Sequence, residues 1–130
     1  MTKEEQIDYW IRQIEKDFDC AKVLHNAGHY AQALFWAHLT LEKLCKALWI
    51  KTNESNTPPF IHNLLKIALE TSIEFSEDQL EFFTDMNTFQ IRGRYPDYIK
   101  SIEQTITKEI SEQYLIKTKE MILWLQGKLQ

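Results

Sequence analysis

The stretch YAQALFWAHLTLEKLCKALWIKT, residues 30–52, decides the fold. Its apolar residues recur every three or four positions, which is the spacing of one face of an α-helix. This stripe consists of Ala33, Leu34, Ala37, Leu41, Leu44 and Leu48. Further apolar side chains occupy other sides of the same helix, namely Phe35, Trp36, Leu39 and Trp49. A helix that is apolar on most sides has to be covered by several neighbours or by another subunit.

Three charged residues, Glu42, Lys43 and Lys46, interrupt this apolar helix. In one interpretation they face water, and the lysine stems lie along the apolar surface. In the other interpretation, Gln32, Lys43 and Lys46 form a polar stripe that lines a cleft or a subunit interface. Trp36 and Glu42 are candidate interface residues.

Glycine and proline mark where the other helices end. They are Gly28, Pro58, Pro59, Gly93, Pro96 and Gly127. The further predicted helices cover about residues 3–26, 62–73, 76–91 and 107–128. Ser76 and Gln79 have the form of a capping box, and Thr107 suits the N-cap of the last helix. Residues 97–106 fit either a loop or a short helix, and no strand-like alternation of useful length occurs. We therefore predict one all-α domain over residues 1–130, an up-and-down bundle of four or five helices.

Composition limits the partners of the chain. Lys and Arg number 15 against 19 Asp and Glu, so a net charge of −4 gives no global attraction to nucleic acid or anionic lipid. The polar start and the short apolar runs predict neither a signal peptide nor a membrane-spanning helix. Cys20 and Cys45 lie among apolar neighbours, as buried free thiols do in a reducing compartment. We therefore expect a cytoplasmic protein without contact to membranes.

The histidines and cysteines do not form a recognisable metal or catalytic site. His25 and His29 have the spacing of helical metal ligands, but Gly28 separates them and no carboxylate motif accompanies them. We expect surface or capping roles for both and no metal. No phosphate-binding glycine loop, nucleophile elbow or cysteine–histidine constellation is present, so we predict no cofactor.

The segment IRGRYPDY, residues 91–98, is the strongest local feature. Arginine forks bind phosphate through two hydrogen bonds and tyrosine rings stack on bases, as an RNA or nucleotide site requires. The candidate ligand-binding residues are Arg92, Arg94 and Tyr95, with Lys43 and Lys46 as contributors from the second helix, and Tyr98 is a candidate interface residue. In the alternative interpretation the segment is a turn whose arginines pair with Asp97 or with helix carboxylates.

Several further motifs accompany this segment in the same order along the chain. They are Trp10 and Ala21, residues 28–35 (GHYAQALF), residues 41–48 (LEKLCKAL), Pro59, His62, Asn63 and Leu64, and residues 94–96 (RYP). Together they resemble the HEPN family, the higher eukaryotes and prokaryotes nucleotide-binding domain. The resemblance covers nearly the whole chain and implies a bundle of four or five helices. It also implies a homodimer in which the segments after the fourth helix share one cleft.

The resemblance implies two kinds of activity. Many members look like metal-independent RNases or toxins, and others pair with a small nucleotidyltransferase in a toxin–antitoxin-like module. The RNase motif is an Arg followed four to six residues later by a His, which supply phosphate stabilisation and acid–base catalysis.

This sequence departs from that motif. The corresponding positions are Pro96, Asp97 and Tyr98 counted from Arg92, and Tyr98, Ile99 and Lys100 counted from Arg94. We therefore assign no catalytic residue and carry over Arg94 and Tyr95 as binding residues only. His62 precedes the third predicted helix, where we expect it to cap that helix.

Three functions remain open. The chain is a nucleotide- or RNA-binding module without catalysis, a subunit that binds a nucleotidyltransferase, or a divergent RNase. Whether it is an enzyme is thus left undecided by the sequence.

Overall fold

The computed structural model describes residues 1–92 and 105–130 of the chain. Within these ranges it contains α-helices and no β-strand. The helices are α1 (Lys3–Asn26), α2 (Tyr30–Thr52), α3 (Leu64–Leu69), α4 (Glu77–Arg92) and α5 (Lys108–Leu129). The predicted all-α class is therefore confirmed.

The helix ends lie where the capping residues indicated. Ser76 Oγ accepts a hydrogen bond from the Gln79 backbone N–H at 3.1 Å, and Gln79 Oε1 accepts from the Ser76 N–H at 3.0 Å. This reciprocal pair is the predicted capping box of α4. Thr107 Oγ1 accepts from the backbone N–H of Ile110, which confirms it as the N-cap of α5. Gly28 follows α1 with a φ of 85°, a left-handed conformation that glycine adopts without strain.

The third helix is shorter than predicted. It covers Leu64–Leu69, whereas the sequence suggested about residues 62–73. Asn63 sets its start, because its side chain accepts a hydrogen bond from the backbone N–H of Lys66. After the helix, the Thr71 hydroxyl donates to the Ala68 carbonyl at 2.7 Å, so a tight turn replaces a further helical turn.

The four long helices alternate in direction. Lys3 near the start of α1 reaches Ile50 near the end of α2, so these helices are antiparallel. Lys51 likewise contacts the Lys128 carbonyl, which places the ends of α2 and α5 together. Helix α2 therefore runs opposite to α1 and parallel to α5.

Aromatic contacts fix the direction of α4. Phe89 near its end packs on Tyr114 near the start of α5, with ring centroids 5.2 Å apart. Phe75, just before α4, packs on Trp124 near the end of α5 at 5.5 Å. Helix α4 is thus antiparallel to α5. It is also antiparallel to α2, which runs parallel to α5. The order α1, α2, α4, α5 is therefore up, down, up, down.

Helix α2 forms the centre of the bundle and contacts each of the other four described helices. The core cluster around it includes Phe18, Leu34, Leu41, Leu44, Leu48, Ile67, Phe83, Met86, Ile122 and Leu125. The apolar sides of α2 are therefore covered mainly within one chain. Of the two kinds of cover that the sequence left open, neighbouring helices supply most of it.

The two cysteines differ in environment, and neither forms a disulfide. Cys45 is buried in α2, as predicted, and burial together with the nearby Glu42 charge raises its pKa to about 12. Cys20 is exposed on α1, so the prediction that both thiols are buried was wrong for this residue. Cys20 lies between the buried positions Phe18 and Ala21 and faces outward.

Among the described residues, no helix combines the length and apolar character required to cross a membrane.

Candidate functional site

A buried polar stripe runs along α2 and consists of His38, Glu42 and Lys46. The residues are four positions apart, so they lie above one another on the same face of the helix. All three side chains are buried. The interpretation in which Glu42 and Lys46 face water is therefore wrong.

Glu42 is the centre of this stripe because its two carboxylate oxygens have different partners. Oε1 lies 2.9 Å from Nδ1 of His62, and Oε2 lies 3.3 Å from Nζ of Lys46. A carboxylate only accepts hydrogen bonds, so the Nδ1 atom of His62 carries a proton and donates. The Glu42 contact thus orients the His62 ring through Nδ1 and leaves Nε2 as its second nitrogen.

His62 does not have the capping role that the sequence suggested. Asn63 is the N-cap of α3, and the His62 side chain instead contacts Glu42 of α2. About half of the His62 side chain remains exposed, at 49%, whereas the Glu42 side chain is 5% exposed. The pair therefore joins a buried carboxylate to an imidazole at the surface.

The Lys46 ammonium interacts with two groups inside the chain. Its Nζ atom lies beside the Glu42 carboxylate and 5.5 Å from the ring centroid of Trp10 in α1. A cation over the face of an indole ring is attracted by the electrons of the ring. The Lys46 ammonium is thus held between a carboxylate and an aromatic face.

His38 is held as a neutral ring in the interior. Its Nε2 atom lies 3.4 Å from Oδ1 of Asn87 in α4, and the backbone of His62 is a second hydrogen-bonding neighbour of the ring. Burial lowers the pKa of His38 from 6.5 to about 4, and the neighbouring Glu42 charge opposes that shift only in part. His38 therefore links α2 to α4 without carrying a charge at neutral pH.

Asn87 connects this stripe to the start of α3. Its Oδ1 atom accepts from the backbone N–H of Leu64, and its Nδ2 atom donates to Oδ1 of Asn63, both at 2.8 Å. The same Asn63 oxygen accepts from the Lys66 N–H. The loop before α3 is thereby fastened to both α2 and α4.

Lys43 lies beside this stripe on α2 and, like Lys46, contacts α1. Its Nζ atom donates to Oδ2 of Asp17 at 2.5 Å and to Oε1 of Gln13 at 2.6 Å. Lys43 and Lys46 thus both contact α1 within the chain, whereas Gln32 is exposed at the start of α2.

The arginine–tyrosine segment begins where α4 ends. Arg92 is the last residue of α4, and its side chain lies outside the described part of the structure. Arg94, Tyr95 and Tyr98 also lie outside the described residues. Trp36, the candidate interface residue on α2, is half-buried and packs against the core cluster.

The antiparallel arrangement separates the lysines of α2 from the end of α4. Because His38 of α2 contacts Asn87 of α4, these two residues lie at the same position along the bundle axis. Lys46 lies eight residues from this level in one direction, and Arg92 lies five residues from it in the other. At 1.5 Å per residue, the axial separation of Lys46 and Arg92 is about 20 Å.

Of the remaining histidines, His29 is the exposed residue that precedes α2, in agreement with the expected surface role. His25 is instead partly buried, and its Nδ1 atom lies 2.8 Å from the Ser111 hydroxyl of α5, so its side chain joins two helices. Among residues 1–92 and 105–130, no group of three or more His, Cys, Asp or Glu side chains could hold a metal ion.

A cleft of about 490 Å³ opens between α4 and α5. Its lining residues are Asp78, Gln79, Glu81, Phe82, Asp85, Lys117, Glu120, Met121 and Trp124. The rim thus carries four carboxylates against one ammonium, which does not suit a phosphate. The cleft also lies along the first half of α4, away from Arg92.

Comparison with known proteins identifies one family. The model of the HEPN domain matches residues 7–128, nearly the whole chain. Searches of curated proteins and of solved structures find no match.

Proposed function

Because the chain belongs to the HEPN family, we propose that it is a nucleotide- or RNA-binding HEPN protein. The ligand binds at the end of α4 through Arg92, Arg94 and Tyr95. The observation that carries the proposal is the position of this segment, since α4 ends at Arg92 and the sequence continues Gly-Arg-Tyr-Pro. Two guanidinium groups and a tyrosine ring within four residues supply both phosphate binding and base stacking.

The two lysines of α2 are poorer candidates for the anion site than the arginines. Lys46 pairs with Glu42, and Lys43 pairs with Asp17, so both ammonium groups already have carboxylate partners. Both residues also lie well away from the end of α4 along the bundle. We therefore restrict the anion site to the arginine segment and retain Lys43 and Lys46 as structural residues.

We propose binding rather than catalysis. Neither arginine is followed at the family's spacing by a histidine, so the acid–base group of the RNase motif is missing. We further propose that the single domain acts in the cytoplasm, where RNA and nucleotides are available. The two free thiols fit a reducing compartment.

The second candidate function is that of a subunit for a small nucleotidyltransferase. The cleft between α4 and α5 favours it, because a carboxylate rim over Phe82, Met121 and Trp124 suits a basic segment of a protein partner. Co-purification of the chain with the product of a neighbouring short nucleotidyltransferase gene tests this function.

Titration of a fluorescein-labelled oligouridylate, followed by anisotropy, tests the proposed function. We expect the double variant Arg92→Ala/Arg94→Ala to bind more weakly by about 1 to 3 kcal/mol for each lost charged contact. Arg12→Ala is the matched control, because Arg12 is an exposed arginine on α1. Unchanged affinity together with a large drop in melting temperature would show that the arginines form a structural ion pair.

A further inference from the structure

The loop between α2 and α3 presents an exposed aromatic ring beside an oriented histidine. Phe60 is 93% exposed, more than any other large apolar side chain in the described ranges. His62, two residues later, is half-exposed and bound to Glu42. Ile61 between them packs against the core cluster. Phe60 and His62 are thus both exposed, two residues apart, on either side of an inward-facing residue.

This loop is fastened at both ends, so the exposure of Phe60 does not arise from a loose segment. Pro58 is buried, and the adjacent Pro59 also restricts the backbone. Asn56 Nδ2 donates to the Met1 carbonyl at 3.0 Å, and Asn63 caps α3. A ring on a fixed backbone loses less conformational entropy when a ligand stacks on it than a ring on a loose segment does.

His62 adds a polar contact with a defined direction. Its Nδ1 atom is committed to Glu42, whose charge is also balanced by Lys46. The Nε2 atom is then the one that meets a ligand, as an acceptor from a ribose hydroxyl when the ring is neutral or as a donor to a phosphate oxygen when it is protonated. An aromatic ring and such a nitrogen suit the two parts of a nucleotide, because the ring stacks on the flat base and the nitrogen binds the polar sugar-phosphate.

We propose that Phe60 and His62 form a second contact site for single-stranded RNA, in which Phe60 stacks on a base and His62 binds the adjoining ribose or phosphate. This inference rests on the proposed function, because it extends the path of the same ligand beyond the end of α4. Glu42, which holds His62, lies four residues of α2 from the contact between His38 and Asn87. Arg92 lies five residues of α4 from that contact in the opposite direction. At 1.5 Å per residue, Glu42 and Arg92 are about 13 Å apart along the bundle axis. A strand of several nucleotides reaches both sites.

The test is a titration of a labelled oligouridylate of about ten nucleotides, within the usual range of single-strand binding sites. Phe60→Ala should raise Kd about five- to a hundredfold. His62→Gln, which retains an N–H donor for Glu42, should raise Kd about three- to tenfold. Leu69→Ala is the control, since Leu69 is another exposed apolar residue, and it should bind like the wild type.

Wild-type affinity in Phe60→Ala would overturn the inference, and a changed mass of this variant in light scattering would then identify Phe60 as a protein contact. Because Phe60 is so exposed, its removal should leave the melting temperature unchanged, so that weaker binding cannot be attributed to unfolding. If only Arg92→Ala/Arg94→Ala weakens binding, the proposed function stands and the second site does not. If only Phe60→Ala weakens binding, the second site stands and the arginine site does not. Absence of binding by the wild type contradicts both.

Discussion

Lys46 Nζ lies 3.3 Å from the Glu42 carboxylate, and both side chains are buried in a helix that is otherwise core. Removing one partner of a buried ion pair leaves the other charge uncompensated, which typically costs about 3 to 5 kcal/mol. We expect Lys46→Met to lower the free energy of unfolding by about 3 kcal/mol, measured by urea denaturation. The double variant Glu42→Gln/Lys46→Met should recover part of that loss.

Lys22 supplies the control for this experiment. It pairs with Asp19 on α1 at 3.1 Å, but both side chains are largely exposed. An exposed pair contributes about 0 to 1 kcal/mol, so Lys22→Met should leave stability nearly unchanged. Equal effects of Lys46→Met and Lys22→Met would show that the buried pair does not constrain the fold.

His38 makes stability depend on pH. Burial lowers its pKa to about 4 in the folded chain, against 6.5 for an exposed histidine. The unfolded chain therefore binds more protons between these values, and stability falls as the pH drops from about 6.5 toward 4. At 1.36 kcal/mol per pKa unit, the effect of this group is about 3 kcal/mol at most.

Urea denaturation at several pH values from 7 to 5 measures this effect. His38→Asn should lose less stability over that interval than the wild type, because the substituted side chain does not titrate. His29→Asn is the control, since His29 is exposed and should retain the wild-type pH dependence. The same pH dependence in His38→Asn and the wild type would contradict the assignment.

We predict that the chain is a homodimer, on the basis of its family. Because α2 is covered within one chain, the interface should instead involve the end of α4, with Trp36 and the segment of residues 91–98 close to it. Light scattering at micromolar concentration should give about twice the chain mass. A mass of only 15.5 kDa would contradict the prediction.

We also predict that the purified chain does not cleave RNA in a manner that depends on Arg94. The histidine of the RNase motif is absent, so no acid–base group accompanies the arginines at the family's spacing. The measurement is a gel assay of a labelled oligoribonucleotide in EDTA. Arg94→Ala, purified in parallel, controls for contaminating nuclease. Robust cleavage by the wild type that disappears in this variant would show that another residue replaces the histidine.

The helix boundaries were predictable because the groups that define them are neighbours in the sequence. Ser76 with Gln79 and Thr107 with Ile110 each lie three residues apart. The short helix was predicted too long because its apolar residues continue to Ile73, and the turn made by Thr71 has no comparably strong sequence signal.

The polar stripe was only partly predictable, because its contacts join distant residues. Glu42 meets His62 at a separation of 20 residues, and His38 meets Asn87 at a separation of 49. A signal was nevertheless present: polar residues at four-residue spacing in an otherwise apolar helix indicate a buried polar row. The exposure of Phe60 has no such signal, since a phenylalanine in a short apolar segment usually indicates core.

The salt dependence of RNA binding tests the central claim, that Arg92 and Arg94 neutralise phosphates at the end of α4. For single strands, the slope of log K against log salt is about −0.7 for each neutralised phosphate. Arg92→Ala/Arg94→Ala should therefore reduce the magnitude of the slope by about 1.4, whereas Arg12→Ala should leave it unchanged. A double variant with the wild-type slope and affinity would contradict the claim.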